Sequence, residues 1–566
     1  MAKAQEHIMR ISPRPSLSAA ACGLALALAL PAMAQPQNWR ATHSHAPDAS
    51  DYTAGAEMRS GDTLHVAVSL QLRNREQLDA FAASLMSGQT STPLTSEQFL
   101  SRYAPTAADV AAVVKHLSQS GFVNIEVSPN NLLVSADGSV GTARSAFNVQ
   151  MRHYSRGERN AYANTNDPVV PKALEGIVLG VHGLQTVHLA HTAQVQAQAT
   201  TYATAGKVGH SPTAWPAIYN AGALPTAAKT TIGIITAGSM TQTLTDLSSF
   251  ARTAGYAQPT VSVVNIASAS RRQSTSSSAD NTAEWDIDSQ NALGAAGGAV
   301  KSIVFYAANS LSEADLTAAY NAAVAANVAK VISVSLGECE TNARLTGTQA
   351  TDDQIFLAAV AQGQTFVVAS GDSGSYECGG RTNAQSYPAV SPYVISVGGT
   401  SVTTSSTGAW TGETVWACSN YSTCASSGGT GGGASLIEAA PAWQLSSKVL
   451  GTSTRRGVPD IAFAGDPATG AITIVNGRNA QYGGTSLSAP IFAGFWARIQ
   501  SANNNRLAFP APALYKYGVA QTALFHDVVT GTNGGYAAAK GWDYTTGFGS
   551  LNVGSFAAFV TSSGGF

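Results

Sequence analysis

The sequence predicts an α/β domain built on a mostly parallel sheet, preceded by a smaller α+β domain. Two observations carry this. From His210 onward, short unbroken apolar runs alternate with helical stretches, the pattern of strands covered on both faces. Between residues 51 and 188, strand-like alternation mixes with well-capped helices. A chain of 566 residues also exceeds one ordinary core, so at least two folded units are expected.

In the first unit, Leu64 to Leu70 alternates like a strand and Glu76 to Met86 has helical spacing. Thr106 caps a helix through Asp109, Val110, Val113, Val114 and Leu117, which Gly121 closes. Phe122 to Val127 and Leu132 to Ser135 read as strands around Pro129-Asn130-Asn131. An Ala/Gln/Thr-rich stretch from Thr192 to Gly206 lacks apolar periodicity and reads as a cleavable linker.

In the second unit, Thr231 to Ile235, Ser302 to Tyr306, Val331 to Ser335, Thr365 to Ala369 and Tyr393 to Val397 read as strands. Leu247 to Ala254, Leu316 to Ala329 and Thr351 to Gln362 read as helices between them. In such sheets, sites form at the carboxyl ends of the strands.

Charged residues make up only 11% of the chain and the formal net charge is −2. With no basic run or Lys/Arg stripe, nucleic acid is excluded as a partner. Sparse charge suits a protein exposed to acid, where stabilising carboxylates lose their charge. Lys3, Arg10 and Arg14 precede the apolar run Ala19 to Leu30, and Pro31-Ala32-Met33-Ala34 supplies a small-x-small cleavage site, so residues 1–34 read as a signal peptide. The run is too short to span a membrane comfortably. Cys22 lies inside it, which disfavours a lipid anchor. After export Cys339, Cys378, Cys418 and Cys424 remain, an even number in an oxidising compartment. Cys418 and Cys424 are close enough to staple one loop, which would leave Cys339 with Cys378; three pairings are possible and the sequence does not choose.

The chemistry centres on Gly483-Gly484-Thr485-Ser486-Leu487-Ser488-Ala489-Pro490, a Gly-rich turn leading into a small-residue helix from Ala489 to Ile499. A serine needs a base, usually histidine. From Thr200 to the C-terminus only His210 and His526 occur, and none lies between Gly371 and Ser486. Carboxylates are the candidates instead. Glu284 and Asp288 project from one face of a helix; an isolated pair would read as a solvated acidic face. Ser370-Gly371-Asp372-Ser373-Gly374 follows a strand, so Asp372 can reach a site at the sheet's carboxyl edge or simply cap a turn. Its Asp-Ser-Gly also suggests an aspartic peptidase, but no second Asp-Ser/Thr-Gly motif occurs.

Glu284-x-x-x-Asp288, Ser370-Gly371-Asp372 and Gly484-Thr485-Ser486, in this order, resemble the sedolisin (serine-carboxyl peptidase) family. Glu97-Gln98-Phe99, Tyr103-Ala104-Pro105 and Gly141 to Phe147 are similar to its activation prodomain. The resemblance implies a subtilisin-like catalytic domain over 207–566, an α+β, ferredoxin-like prodomain over 35–190 and a cleavable linker over 191–206. It implies Ser486 as nucleophile, Glu284 as general base with Asp288 behind it, and a protonated Asp372 facing the oxyanion. It also implies one Ca²⁺ held by the Asp527 and Asp543 side chains and the Val528, Ala539 and Gly541 carbonyls.

The expected function is therefore a secreted, self-activating acid endopeptidase. It would be monomeric, act on proteins and peptides, and be inhibited by its own prodomain. The rival from another class is a catalytically dead binding protein keeping the fold. Eight histidines lie between Gln35 and Ala199 against two afterwards. Their protonation is expected to loosen the prodomain as pH falls, although a chance surface composition explains the count equally well.

Overall fold

The N-terminal sheet is built from β1 (Thr63–Leu70), β2 (Val123–Val127), β3 (Leu133–Ser139) and β4 (Val178–His182), with helices α1 (Arg75–Met86), α2 (Ala107–Gln119) and α3 (Val140–Phe147) between strands. The computed structural model describes residues 38–90, 92–193, 195–196, 208–266 and 281–563. The expected signal peptide and the linker residues 197–206 lie outside these. The strand order β2-β3-β1-β4, antiparallel throughout, is the expected ferredoxin-like arrangement. Alternation in β1 turns Val66 and Val68 inward onto Leu117 of α2 and Phe147 of α3. The α2 cap is a reciprocal one: Thr106 Oγ1 accepts from the Asp109 N–H, and an Asp109 oxygen accepts from the Thr106 N–H.

The second sheet comprises β5 (Ala227–Ala237), β6 (Val261–Asn265), β7 (Val300–Ala308), β8 (Val331–Val334), β9 (Thr365–Ala369), β10 (Val394–Thr404), β11 (Trp410–Val415) and β12 (Ile461–Ala464). Its order is β6-β7-β5-β8-β9-β10-β11, with β12 also on β10. Every pairing is parallel except β10 with β11. Helices α4 (Thr241–Thr253), α5 (Thr282–Ala295), α6 (Glu313–Ala326), α7 (Thr348–Ala361) and α8 (Thr485–Ala502) cover it.

Four helices begin earlier than their apolar periodicity indicates, α6 at Glu313 and α7 at Thr348 by three residues each, α4 and α8 by more. The first turn of α4 is polar, and its Thr243 and Asp246 are buried. The helix α8 starts at Thr485 rather than Ala489, so Ser486 lies in its first turn. Tertiary packing, not side-chain periodicity, sets the starts of α4 and α8. Cys339 is bonded to Cys378 and Cys418 to Cys424, as loop proximity suggested.

The described residues from Trp39 onward form one compact unit. The edge of the N-terminal sheet lies on α7: Ser69 and His182 both meet the Thr351 hydroxyl, at 2.8 and 2.9 Å. Gln354 Nε2 donates to the Leu70 carbonyl at 2.9 Å. Asn130 and Asn321 exchange hydrogen bonds across to α6. From there the chain runs along the carboxyl edge of the second sheet.

Candidate active site

The helix α5 is buried from Glu284 to Ala295, so the acidic face is not solvated. Side-chain bonds fix its rotation. Trp285 Nε1 donates to the Ala237 carbonyl at 3.0 Å, Asn291 Oδ1 accepts from Trp215 Nε1 at 2.8 Å, and Gln290 bonds the Ile474 backbone through both its amide groups. This holds Glu284 and Asp288 one turn apart, both fully buried.

Ser486 enters through a turn that only glycines allow. Gly484 has φ +103°, in the region that disfavours side chains. A Cβ on Gly483 would stand 2.4 Å from the Gly465 carbonyl oxygen. The N–H groups of a helix's first turn have no intrahelical partner, so the Ser486 amide is available to a ligand. Pro490, four residues on, has no N–H to give the Ser486 carbonyl, and Ser335 Oγ lies 3.5 Å from that oxygen. The same hydroxyl donates to Asp288 Oδ1 at 2.5 Å. Ser335, at the end of β8, thus ties the acid pair to the serine helix.

Neither Glu284 oxygen nor Ser486 Oγ completes a hydrogen bond, yet the hydroxyl is near enough to favour the ionised Glu284. Burial, and then the Asp288 charge, push Glu284 well above its ordinary range. Burial likewise raises Asp288, against the pull of Ser335.

Asp372 comes from the loop after β9. Its Oδ1 accepts from the Thr485 N–H at 2.7 Å and from Thr485 Oγ1 at 2.8 Å, while the buried Oδ2 has no partner. Burial raises this carboxyl to about 6, the Thr485 bonds opposing it. The oxygen left over is therefore the one free to carry a proton.

The site is covered by the chain's own tail. His191 and Thr192 pair antiparallel with Gly337 and Leu336, and Val195 and Gln196 with Gly483 and Tyr482. Between them, the Ser486 N–H donates to the Ala193 carbonyl at 2.9 Å.

The profile described as "Pro-kumamolisin, activation domain" matches residues 50–187, and that of the subtilase family matches residues 285–549. Sedolisin of Pseudomonas sp. (strain 101) is 46% identical, over 90% of this chain and 89% of its own. Xanthomonalisin of Xanthomonas sp. (strain T-22) is 42% identical, over 91% of this chain and 68% of its own. A solved structure of the Pseudomonas sedolisin, complexed with two molecules of pseudo-iodotyrostatin, superposes with a TM-score of 0.61. It covers 63% of this chain and 99% of its own. The chain belongs to the sedolisin family. It is a serine-carboxyl peptidase with an activation prodomain and a subtilisin-like catalytic domain.

The structure brings the four sedolisin-type candidates Ser486, Glu284, Asp288 and Asp372 to one carboxyl edge of the sheet. Two further residues of the site escaped sequence reasoning. In the sequence Ser335 reads only as the end of a strand. Glu377 lies behind Asp372, with its Oε1 accepting from the Ser373 N–H at 2.7 Å; burial raises it to about 8. A glycine signalled it: a Cβ on Gly371, at φ +111°, would stand 2.3 Å from that carboxylate.

Asp527 Oδ2 accepts from the Gly541 N–H at 2.9 Å and Asp543 Oδ2 from the Ala539 N–H at 2.8 Å, so both carboxylates face one loop. Val528 is buried beside Asp527. Among the described residues there is no group of three or more His, Cys, Asp or Glu that could hold a metal ion. Carboxylate and carbonyl oxygens fit a hard cation. No helix among the described residues is long and apolar enough to cross a membrane.

Proposed function

We propose that this chain is an exported, acid-acting endopeptidase, held inactive by its own prodomain, with Ser486 as nucleophile and Glu284 as general base. The observation that carries the reading is a serine in the first turn of α8 beside the buried pair Glu284 and Asp288, which Ser335 links to the serine's own helix.

Glu284 takes the Ser486 proton as Oγ attacks the substrate carbonyl, giving a tetrahedral intermediate and then an acyl-enzyme. Raised basicity makes the buried carboxylate a stronger acceptor than a solvated one. The pair titrates as a unit, and the form that serves as base is the one holding a single proton, in which the other carboxylate accepts. Asp372, protonated on Oδ2, donates to the oxyanion beside the Ser486 N–H; such a donor contributes about 3–4 kcal/mol to transition-state stabilisation.

Ca²⁺ held by the Asp527 and Asp543 carboxylates and the Val528, Ala539 and Gly541 carbonyls would brace the C-terminal loops. An unfolding temperature unchanged by a chelator would remove this part of the reading.

The main test acidifies the purified precursor and follows its shortening together with cleavage of an added protein. Ser486→Ala and Glu284→Gln run in parallel and are expected to stay folded and inert. Equal cleavage by the parent and Ser486→Ala overturns the mechanism.

A further inference from the structure

The tail that covers the site lies as a substrate lies. We propose that the peptide bond following Ala193 is the first bond this enzyme hydrolyses in its own precursor. The proposal rests on the mechanism just given and names the substrate on which it first acts.

The chain on either side of Ala193 adds as a strand to the walls of the cleft. Upstream, His191 and Thr192 pair antiparallel with Gly337 and Leu336, and the Ala193 N–H donates to the Ser335 carbonyl at 3.3 Å. Downstream, Val195 and Gln196 pair antiparallel with Gly483 and Tyr482, which directly precede Gly484-Thr485-Ser486. Strand addition fixes a peptide's register through main-chain bonds, so only one residue of the tail can meet the nucleophile. That residue is Ala193. Its carbonyl oxygen accepts from the Ser486 N–H at 2.9 Å, the donor geometry required for stabilising an oxyanion. The N-terminal end of α8 favours negative charge there.

Side chains agree with this register. Ala193 is 5% exposed, so the site that takes it is enclosed and fitted to a small apolar group. Three residues upstream, Ala190 lines a narrow pocket with Tyr320, Tyr387, Glu313, Glu338 and Asp352. Its N–H donates to the Leu311 carbonyl at 3.1 Å, so the tail is anchored before it reaches the serine.

The step balances as an ordinary hydrolysis. Ser486 Oγ bonds to the Ala193 carbonyl carbon while Glu284 takes the hydroxyl proton. The bond from that carbon to the Gln194 nitrogen then breaks, and Glu284 returns the proton to the departing amine. Water attacks the Ala193 ester, Glu284 takes its proton, and that proton restores the Ser486 hydroxyl. Two fragments result, one ending in the carboxyl group of Ala193 and one beginning with Gln194. The reacting groups belong to one molecule, so the first cut is unimolecular.

The test acidifies dilute full-length precursor for short times and maps the earliest new termini by mass spectrometry. The expected result is a fragment pair meeting between Ala193 and Gln194, formed at a rate independent of protein concentration and absent in Ser486→Ala. A first cut at any other bond, still abolished by Ser486→Ala, overturns the proposal and leaves the peptidase mechanism standing. The same first cut in Ser486→Ala overturns the mechanism itself. A second arm uses Ala193→Lys, which places a long charged side chain in the enclosed site. Slowing of the first cut by tenfold or more is expected, with unchanged hydrolysis of a synthetic peptide once the processed enzyme has been obtained. An unchanged first cut in Ala193→Lys counts against Ala193 as the residue acylated.

Discussion

Gly494 lies against the Ala292 carbonyl, so close that a Cβ on residue 494 would stand 2.5 Å from that oxygen. Gly494 belongs to α8, which carries Ser486, and Ala292 to α5, which carries Glu284 and Asp288. The separation of Ser486 from Glu284 is therefore set by a backbone contact two turns from either.

Gly494→Ala is expected to force the two helices apart. Overpacking of this kind costs about 1–3 kcal/mol of stability, and a displacement near 1 Å at reacting groups costs about 100-fold in rate. Denaturant unfolding and peptide hydrolysis by the processed enzyme measure the two effects. A fall in stability with full catalytic rate would show that the contact serves packing alone.

Much of the fold was legible because parallel strands buried on both faces read as unbroken apolar runs, as in Thr365 to Ala369. The four catalytic candidates were legible because each sits in a local motif. What was not legible depends on long-range packing. Ser335 gains its role only when β8 and α8 meet. Arg456 and Asp460 look like ordinary surface charges in Arg455-Arg456-Gly457-Val458-Pro459-Asp460, yet both are fully buried and joined by two bonds of 2.8 and 2.7 Å. The tail's register over Ser486 rests on main-chain pairing, which leaves almost no mark in side-chain pattern.

His182 gives the histidine-rich prodomain a specific place to sense pH. It is 2% exposed, its Nε2 meets the Thr351 hydroxyl of α7, and its Nδ1 has no partner. His45 and Glu313 are the other titratable groups lining the adjoining cavity. Burial lowers His182 from 6.5 to about 4. A histidine lowered in the bound state binds more protons when released, so the interface keeps its full strength above about 6.5 and weakens as pH falls towards 4. At the acid limit this amounts to about 3 kcal/mol. His182→Gln, which cannot take up a proton, is expected to need a lower pH for precursor conversion. Conversion at the parent's pH, with the variant stably folded, assigns the switch to other groups.

On the proposed mechanism, Asp372 held by Thr485 sets the alkaline limb of the pH profile. With Oδ1 committed to the Thr485 N–H and hydroxyl, the proposed mechanism has Oδ2 serve the oxyanion, and only while it carries a proton. Burial holds that proton up to about pH 6. As pH rises through this value a donor becomes a charged acceptor, and about 3–4 kcal/mol of transition-state stabilisation disappears, a fall of roughly 100- to 1000-fold. Asp372→Asn keeps the acceptor on Thr485 and puts a permanent N–H donor in the place of Oδ2. Its profile, measured on processed enzyme with a short peptide so that activation plays no part, is expected to retain activity to higher pH than the parent. Below about pH 5 the two should differ by no more than about tenfold, since both then donate. An alkaline limb at the same pH in Asp372→Asn and parent would assign that limb to another group and remove Asp372 from the oxyanion site.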